Sequence, residues 1–183
     1  MSHVSRKGFT LIEMIVVVGV VALTIPAVFA ITFAVLRQQA KLYALKTVKR
    51  EGDLALNAIK TNIKNCAVTI HDASPPLDTN AICDQTGSNN APTTMYFVDK
   101  TGAYFSYSNS STKIASNSSI PNAAGDLTTP NVQVDNLTFS CVRTNQFSPP
   151  VVSVKFQIQY QNPDRHADIS SMTYQTQIRL RTN

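Results

Sequence analysis

The stretch Lys7-Gly8-Phe9-Thr10-Leu11-Ile12-Glu13, with the apolar run Met14–Leu36 behind it, decides how the rest of the chain is read. The run holds 23 residues without a charge. At about 1.5 Å per residue, a helix of that length crosses the roughly 30 Å hydrocarbon layer of a bilayer. Val16, Val17, Val18, Val20 and Val21 lower its intrinsic helix propensity. In lipid that preference counts for little, because an unpaired backbone amide costs far more than a β-branch. Glu13 is the unusual residue. It is the single ionisable side chain between Lys7 and Arg37, and a carboxylate in hydrocarbon is costly unless a counter-charge meets it.

Three arrangements account for such a run. An ordinary secretory signal would use Arg6 and Lys7 as its basic end and Val28-Phe29-Ala30 as its small-x-small cleavage site. Glu13 sits badly at the start of that apolar region, and the run continues past Ala30 to Leu36. A permanent single-pass anchor carrying an extracytoplasmic binding module is the second arrangement. It meets a charge conflict: Arg37, Lys41, Lys46, Lys49 and Arg50 beyond the run outnumber Arg6 and Lys7 before it, whereas cytoplasmic flanks are normally the more basic.

The third rests on a resemblance. Gly8 followed by Phe9-Thr10-Leu11-Ile12-Glu13 and a long apolar helix resembles the class III signal of type IV prepilins and type II secretion pseudopilins. The resemblance implies cleavage after Gly8 by a prepilin peptidase, which then N-methylates the new first residue, Phe9. The apolar helix is retained, first as an inner-membrane anchor in lipid and later as filament core. It also implies that Glu13 pairs with the Phe9 amine of an adjacent subunit, recruited through an inner-membrane assembly platform. Physically, a carboxylate in an apolar setting seeks such a counter-charge. A contact of this head-to-tail kind builds an open filament rather than a closed dimer. The run Arg50–Lys60 and the paired C-terminal strands resemble larger minor pilins and the J-type pseudopilin, which implies a minor subunit. Pro26 lies inside the run, where the missing amide predicts a kink or local loss of helix. Many pilins carry such a proline somewhat further along, so this one departs in position.

The implied organisation is a leader over residues 1–8, a transmembrane and filament-core helix over 9–36, and an extracytoplasmic globular domain over 37–183. The formal charge of +5 falls by two, to +3, when Arg6 and Lys7 leave with the leader. The remaining cations are spread among polar residues, which predicts no specific nucleic-acid partner.

No chemistry-bearing motif appears, so the chain is read as no enzyme, without cofactor or metal. His3, His71 and His166 are far apart in sequence and lack motif partners. Asp72 with Asp78, and Asp164 with Asp168, lack the ligand spacing of a calcium loop. The Asn-x-Ser/Thr triplets at Asn109, Asn117 and Asn136 arise readily in a chain rich in those residues.

The globular domain reads as α+β and pilin-like: an amphipathic helix over 37–66, then a four- or five-stranded antiparallel sheet over 93–183. Leu45, Val48, Gly52, Ala55, Ile59, Ile63 and Cys66 trace one apolar stripe at helical spacing. Gly52 on that stripe predicts close approach of a strand. Ala67–Asn90 reads as loop. Thr93–Val98 and Ala103–Ser108 flank Asp99-Lys100-Thr101-Gly102 as a hairpin. A short strand is expected at Lys113–Ala115. Val132–Cys141 alternates with a shift near Asp135-Asn136 that predicts a bulge or a short turn, and a buried Cys141. Val152–Tyr160 and Met172–Leu180 alternate cleanly, joined by a polar connector over Gln161–Ser170. The joint between helix and sheet is, by resemblance, the variable region of pilins, and Cys83 falls in it. A Cys66–Cys83 bridge is expected there, with Cys83–Cys141 as the alternative.

Overall fold

The computed structural model describes residues 8–84, 86–91, 94–121, 123–161 and 171–181. One helix, α1, spans Leu11–Cys66, and the chain divides into two compact units, Met1–Leu42 and Tyr43–Asn183.

In the first unit α1 is solvent-exposed almost throughout. It runs through Pro26 without interruption, so the local loss of helix expected there does not occur. Pro26 lacks the amide that would bond to the carbonyl of Ala22, yet its neighbours keep helical geometry.

Among the described residues the second unit contains ten strands: β1 (Thr69–His71), β2 (Ala81–Ile82), β3 (Gly87–Ala91), β4 (Met95–Val98), β5 (Tyr104–Ser110), β6 (Lys113–Ser118), β7 (Gly125–Asp126), β8 (Val132–Arg143), β9 (Val151–Tyr160) and β10 (Ser171–Arg179). All pairings are antiparallel, as the α+β reading requires. They form two sheets, not one. The first runs β2-β1-β4-β5-β6-β7 and the second β10-β9-β8-β3.

Where alternation is strong, strand and face follow the sequence. Val152, Val154, Phe156 and Ile158 of β9 are fully buried, and β10 pairs with β9 from Ser171↔Gln159 to Arg179↔Val151. On β8 the inward set changes from Val132 and Val134 to Leu137, Phe139 and Cys141. The ladder slips by one residue between Asp135 and Thr138, which is the expected bulge. Asn136 absorbs it at φ 56°, a left-handed conformation that asparagine tolerates better than most residues.

The β4–β5 hairpin turns at Asp99–Gly102. Asp99 Oδ1 accepts from the Thr101 amide at 2.7 Å, the Thr101 hydroxyl at 2.7 Å and the Ala103 amide at 3.0 Å. Gly102 closes the turn at φ 83°, where a Cβ would be strained. Those bonds, the Thr101 hydroxyl foremost, hold the Asp99 carboxyl below its ordinary pKa.

The segment Ala67–Asn90, expected to be loop, instead supplies β1, β2 and all but the last residue of β3, with a 3-10 turn at Asp78–Asn80. Its strands pair with partners distant in sequence: β1 with β4, and β3 with β8. His71, at the end of β1, is buried. Its ring nitrogens meet Thr69 Oγ1 at 2.9 Å, Leu77 O at 3.0 Å and Asn80 Oδ1 at 3.0 Å.

A single core joins the second half of α1 to both sheets. Val48, Ala55, Ile59 and Ile63 of α1 pack with Phe97, Tyr107, Ile114, Phe139, Phe156, Tyr174 and Ile178. Leu45 is half-buried, and Cys66, at the helix terminus, is exposed. The stripe also contains Glu51, buried at 3% exposure, which no apolar pattern would reveal. Its Oε2 accepts from the Thr129 amide at 3.2 Å, and its Oε1 pairs with Arg50 at 3.0 Å. A buried carboxylate is tolerable when paired and hydrogen-bonded in this way.

The disulfide joins Cys83 to Cys141, so the expected Cys66–Cys83 bridge is not formed. Cys83 directly follows β2, Cys141 lies on the buried face of β8, and both belong to the core, where their Cα atoms stand 6.2 Å apart. The connector expected over Gln161–Ser170 lies outside the described residues beyond Gln161.

Candidate processing and assembly segment

Gly8 and Phe9 precede α1 in exposed chain outside helix and strand. Space around the Gly8 α-carbon is open, with no atom near a Cβ built there. Phe9 is 72% exposed. The Gly8–Phe9 bond is thus accessible, just before the helix starts. Arg6 and Lys7, the expected basic part of the leader, lie outside the described residues.

Thr10 starts the helix. Its Oγ1 accepts from the Glu13 amide at 3.4 Å, and its carbonyl accepts from the Met14 amide at 3.3 Å. Thr10 is thus the N-cap, and Thr10-x-x-Glu13 has capping-box spacing. That spacing was legible in the sequence and went unused there. Glu13 is exposed, in the first turn of α1, where the positive end of the helix dipole favours a carboxylate. In the single chain no counter-ion faces it among the described residues. Two turns of helix place Leu11, Met14, Ile15 and Val18 together as an open apolar hollow.

Beyond Glu13 the surface is uniformly apolar and uncovered: Val16, Val20, Leu23, Val28 and Ile31 are all exposed. The two remaining hydroxyls are satisfied inside the helix. Thr24 Oγ1 donates to Val21 O at 3.2 Å and Thr32 Oγ1 to Val28 O at 2.8 Å. Phe29 and Phe33 stack along one side, 6.5 Å between ring centres. α1 is long and apolar enough to cross a membrane, and none of its most apolar window is buried. An exposed surface of this size in water is untenable, so it requires lipid or other apolar helices.

Phe9 precedes α1, Glu13 stands in its first turn, and Pro26 lies further along the same apolar segment. The cysteines belong elsewhere, in the second unit. Among the described residues no group of three or more His, Cys, Asp or Glu side chains could hold a metal ion. His3, His166, Asp164 and Asp168 lie outside them.

Residues 4–25 match a family model described as the prokaryotic N-terminal methylation motif. Neither the curated proteins nor the solved structures return a match to the chain. The matched residues include Gly8, Phe9, the capping Thr10 and Glu13, the same positions that the geometry leaves accessible at the head of the apolar helix. The chain thus carries the prokaryotic N-terminal methylation motif at the head of an exposed apolar helix, with the second half of that helix packed on antiparallel sheets, and this combination supports the type IV pilin and pseudopilin family.

Proposed function

We propose that the chain is a structural subunit of a type IV pilus or a type II secretion pseudopilus, assembled through its N-terminal helix. A prepilin peptidase removes residues 1–8 by cutting after Gly8 and methylates the amine of Phe9. Residues 9–36 hold the subunit in the inner membrane, in contact with lipid, with the globular domain 37–183 on the extracytoplasmic side. An assembly platform in that membrane then draws the helix into a fibre of pilin or pseudopilin subunits. The observation that carries this reading is the methylation motif over residues 4–25, set on an uncovered apolar helix.

Glu13 supplies the register. In hydrocarbon a carboxylate without a partner is unfavourable, and the amine of Phe9 on an adjacent subunit is a matching charge of opposite sign. Each processed subunit has one of each, so the pairing passes from subunit to subunit without closing on itself. Methylation leaves the amine protonated and able to donate to that carboxylate.

Mass spectrometry of the mature protein tests this directly. The expected N-terminus is N-methylated Phe9 with the apolar run retained. A chain beginning at Ile31, or one still carrying Met1, would remove the assignment.

A further inference from the structure

Phe147 is 95% exposed, at the tip of the β8–β9 hairpin. An isolated apolar side chain on a loose loop would be unremarkable, but this loop is braced. The Arg143 guanidinium donates to four carbonyls: Ser148 at 3.0 Å, Gln146 at 2.6 Å, Asp84 at 2.7 Å and Cys83 at 3.4 Å. The Phe147 amide donates to Asn145 Oδ1 at 3.1 Å, and the Asn145 amide to Ser148 Oγ at 3.2 Å. The backbone that carries the ring is therefore already ordered, so docking it costs little further conformational entropy.

The opposite end of the same sheet carries a receptor. Tyr43, Lys46, Thr47, Arg50 and Asn131 line an open hollow of about 220 Å³. Asn131 directly precedes β8, and Phe147 lies just past its end. β8 has 12 residues, which places the two features on the order of 35 Å apart. They cannot meet within one chain. Arg50 is steadied at the hollow by Glu51, 3.0 Å from its guanidinium.

We propose that Phe147 of one copy seats in the Tyr43–Arg50 hollow of a second copy, locking globular units end to end. The proposal rests on the filament function above and specifies one contact within it. The chemistry matches: an aromatic ring meets another ring at Tyr43, and the cations of Lys46 and Arg50 are attracted to its electron-rich face. Protrusion and hollow are different surfaces at opposite ends. Each joined pair therefore keeps one free protrusion and one free hollow, and the contact propagates. It requires at least two adjacent copies in a fibre.

The test uses full-length chains in fibres, in a Cys66→Ser background so that no native free thiol competes. One copy carries Gln146→Cys, beside the ring, and the other Asn131→Cys, at the rim of the hollow. Oxidation is expected to give a mixed disulfide dimer. Phe147→Ala in the Gln146→Cys copy should lower its yield by about tenfold or more, the scale of a central interface residue. Phe147→Tyr should retain it. Because the ring is almost fully exposed, Phe147→Ala should leave the melting of the globular unit unchanged. Wild-type chain in fibres without the mixed dimer, or a dimer indifferent to Phe147→Ala, overturns the interlock and leaves the filament function standing. Cross-linking to a different protein overturns the second copy as occupant. A wild-type chain absent from fibres overturns both.

Discussion

The hydroxyl of Tyr174 donates to the backbone carbonyl of Lys49, 3.1 Å away, and its ring occupies the space that a side chain on Gly52 would need. A Cβ on Gly52 would overlap Cε2 and Cζ of that ring and stand 2.7 Å from its oxygen. The ring has little room to retreat, since it stacks on Phe156 with centres 5.3 Å apart. Helix α1 therefore meets β10 through an absent side chain.

Gly52→Ala should accordingly destabilise the protein. Alanine favours a helix by about 1 kcal/mol over glycine, but overpacking a closed contact costs typically about 1–3 kcal/mol. A net loss of about 1 kcal/mol, or a few degrees in Tm, is expected in thermal unfolding. In a Tyr174→Leu background the same substitution should be neutral or stabilising. A rise in Tm for Gly52→Ala alone would show that the ring yields freely.

Glu13→Leu should leave cleavage after Gly8 largely intact and impair incorporation into fibres. Because Thr10 caps the helix at Glu13, a capping role must be separated from a charge role. Glu13→Gln separates them: the amide suits a capping box as well as the acid does but cannot balance an amine. Glu13→Gln assembling as poorly as Glu13→Leu supports the charge pair. Normal incorporation of Glu13→Leu, read by quantitative immunoblot of sheared fibres, would defeat it.

One thiol per oxidised chain should react with an exposed-thiol reagent, and Cys66→Ser should abolish the signal. The Cys83–Cys141 bridge closes a separation of 58 residues, for which chain-entropy reasoning gives about 4 kcal/mol of stabilisation. Cys83→Ser or Cys141→Ser should thus lower the denaturant midpoint substantially, while Cys66→Ser should leave it unmoved.

Tyr107 gives a prediction for alkaline pH. Burial raises its pKa above the ordinary 10.0, against a lowering bond from Asn62, whose Nδ2 donates to the phenolic oxygen at 2.9 Å. A pKa raised on folding means that the unfolded chain loses the proton first. The stability linked to Tyr107 is therefore complete below about pH 10 and is lost as pH rises from there through the folded-state pKa. Tyr107→Phe should flatten that part of the alkaline unfolding curve. An unchanged slope between variant and wild type would contradict the assignment.

Local pattern revealed most of what local forces determine. The Gly52 stripe, the Asp99–Gly102 turn, the bulge near Asp135 and the alternation of β9 and β10 each follow from short-range spacing, and each is present. Residues 67–91 were illegible because their strands are short, polar and made by partners elsewhere in the chain. β1 lies on β4 and β3 on β8, and neither has an alternating face of its own length to announce it. The cysteine pairing was hidden because Cys83 and Cys141 are 58 residues apart and meet only through the packing of the core. Glu51 was hidden differently. A carboxylate on the inward side of a helix reads as an interruption until the amide that it accepts from, at Thr129, is placed opposite it. At the head of the chain the opposite held: Gly8, Phe9 and Glu13 were visible because a motif fixes them in sequence, independent of packing.

The hydroxyls of Thr24 and Thr32 turn back onto carbonyls of their own helix. A segment that satisfies its polar atoms internally has nearly the same solvation energy among acyl chains as among neighbouring helices. Partitioning between those two media is then nearly balanced over most of its length. In the proposed fibre Glu13 alone would distinguish them, because only neighbouring helices would offer it a cation. On that reading the fluid membrane is a reservoir from which subunits are withdrawn at small energetic difference, with a single carboxylate giving the exchange its direction.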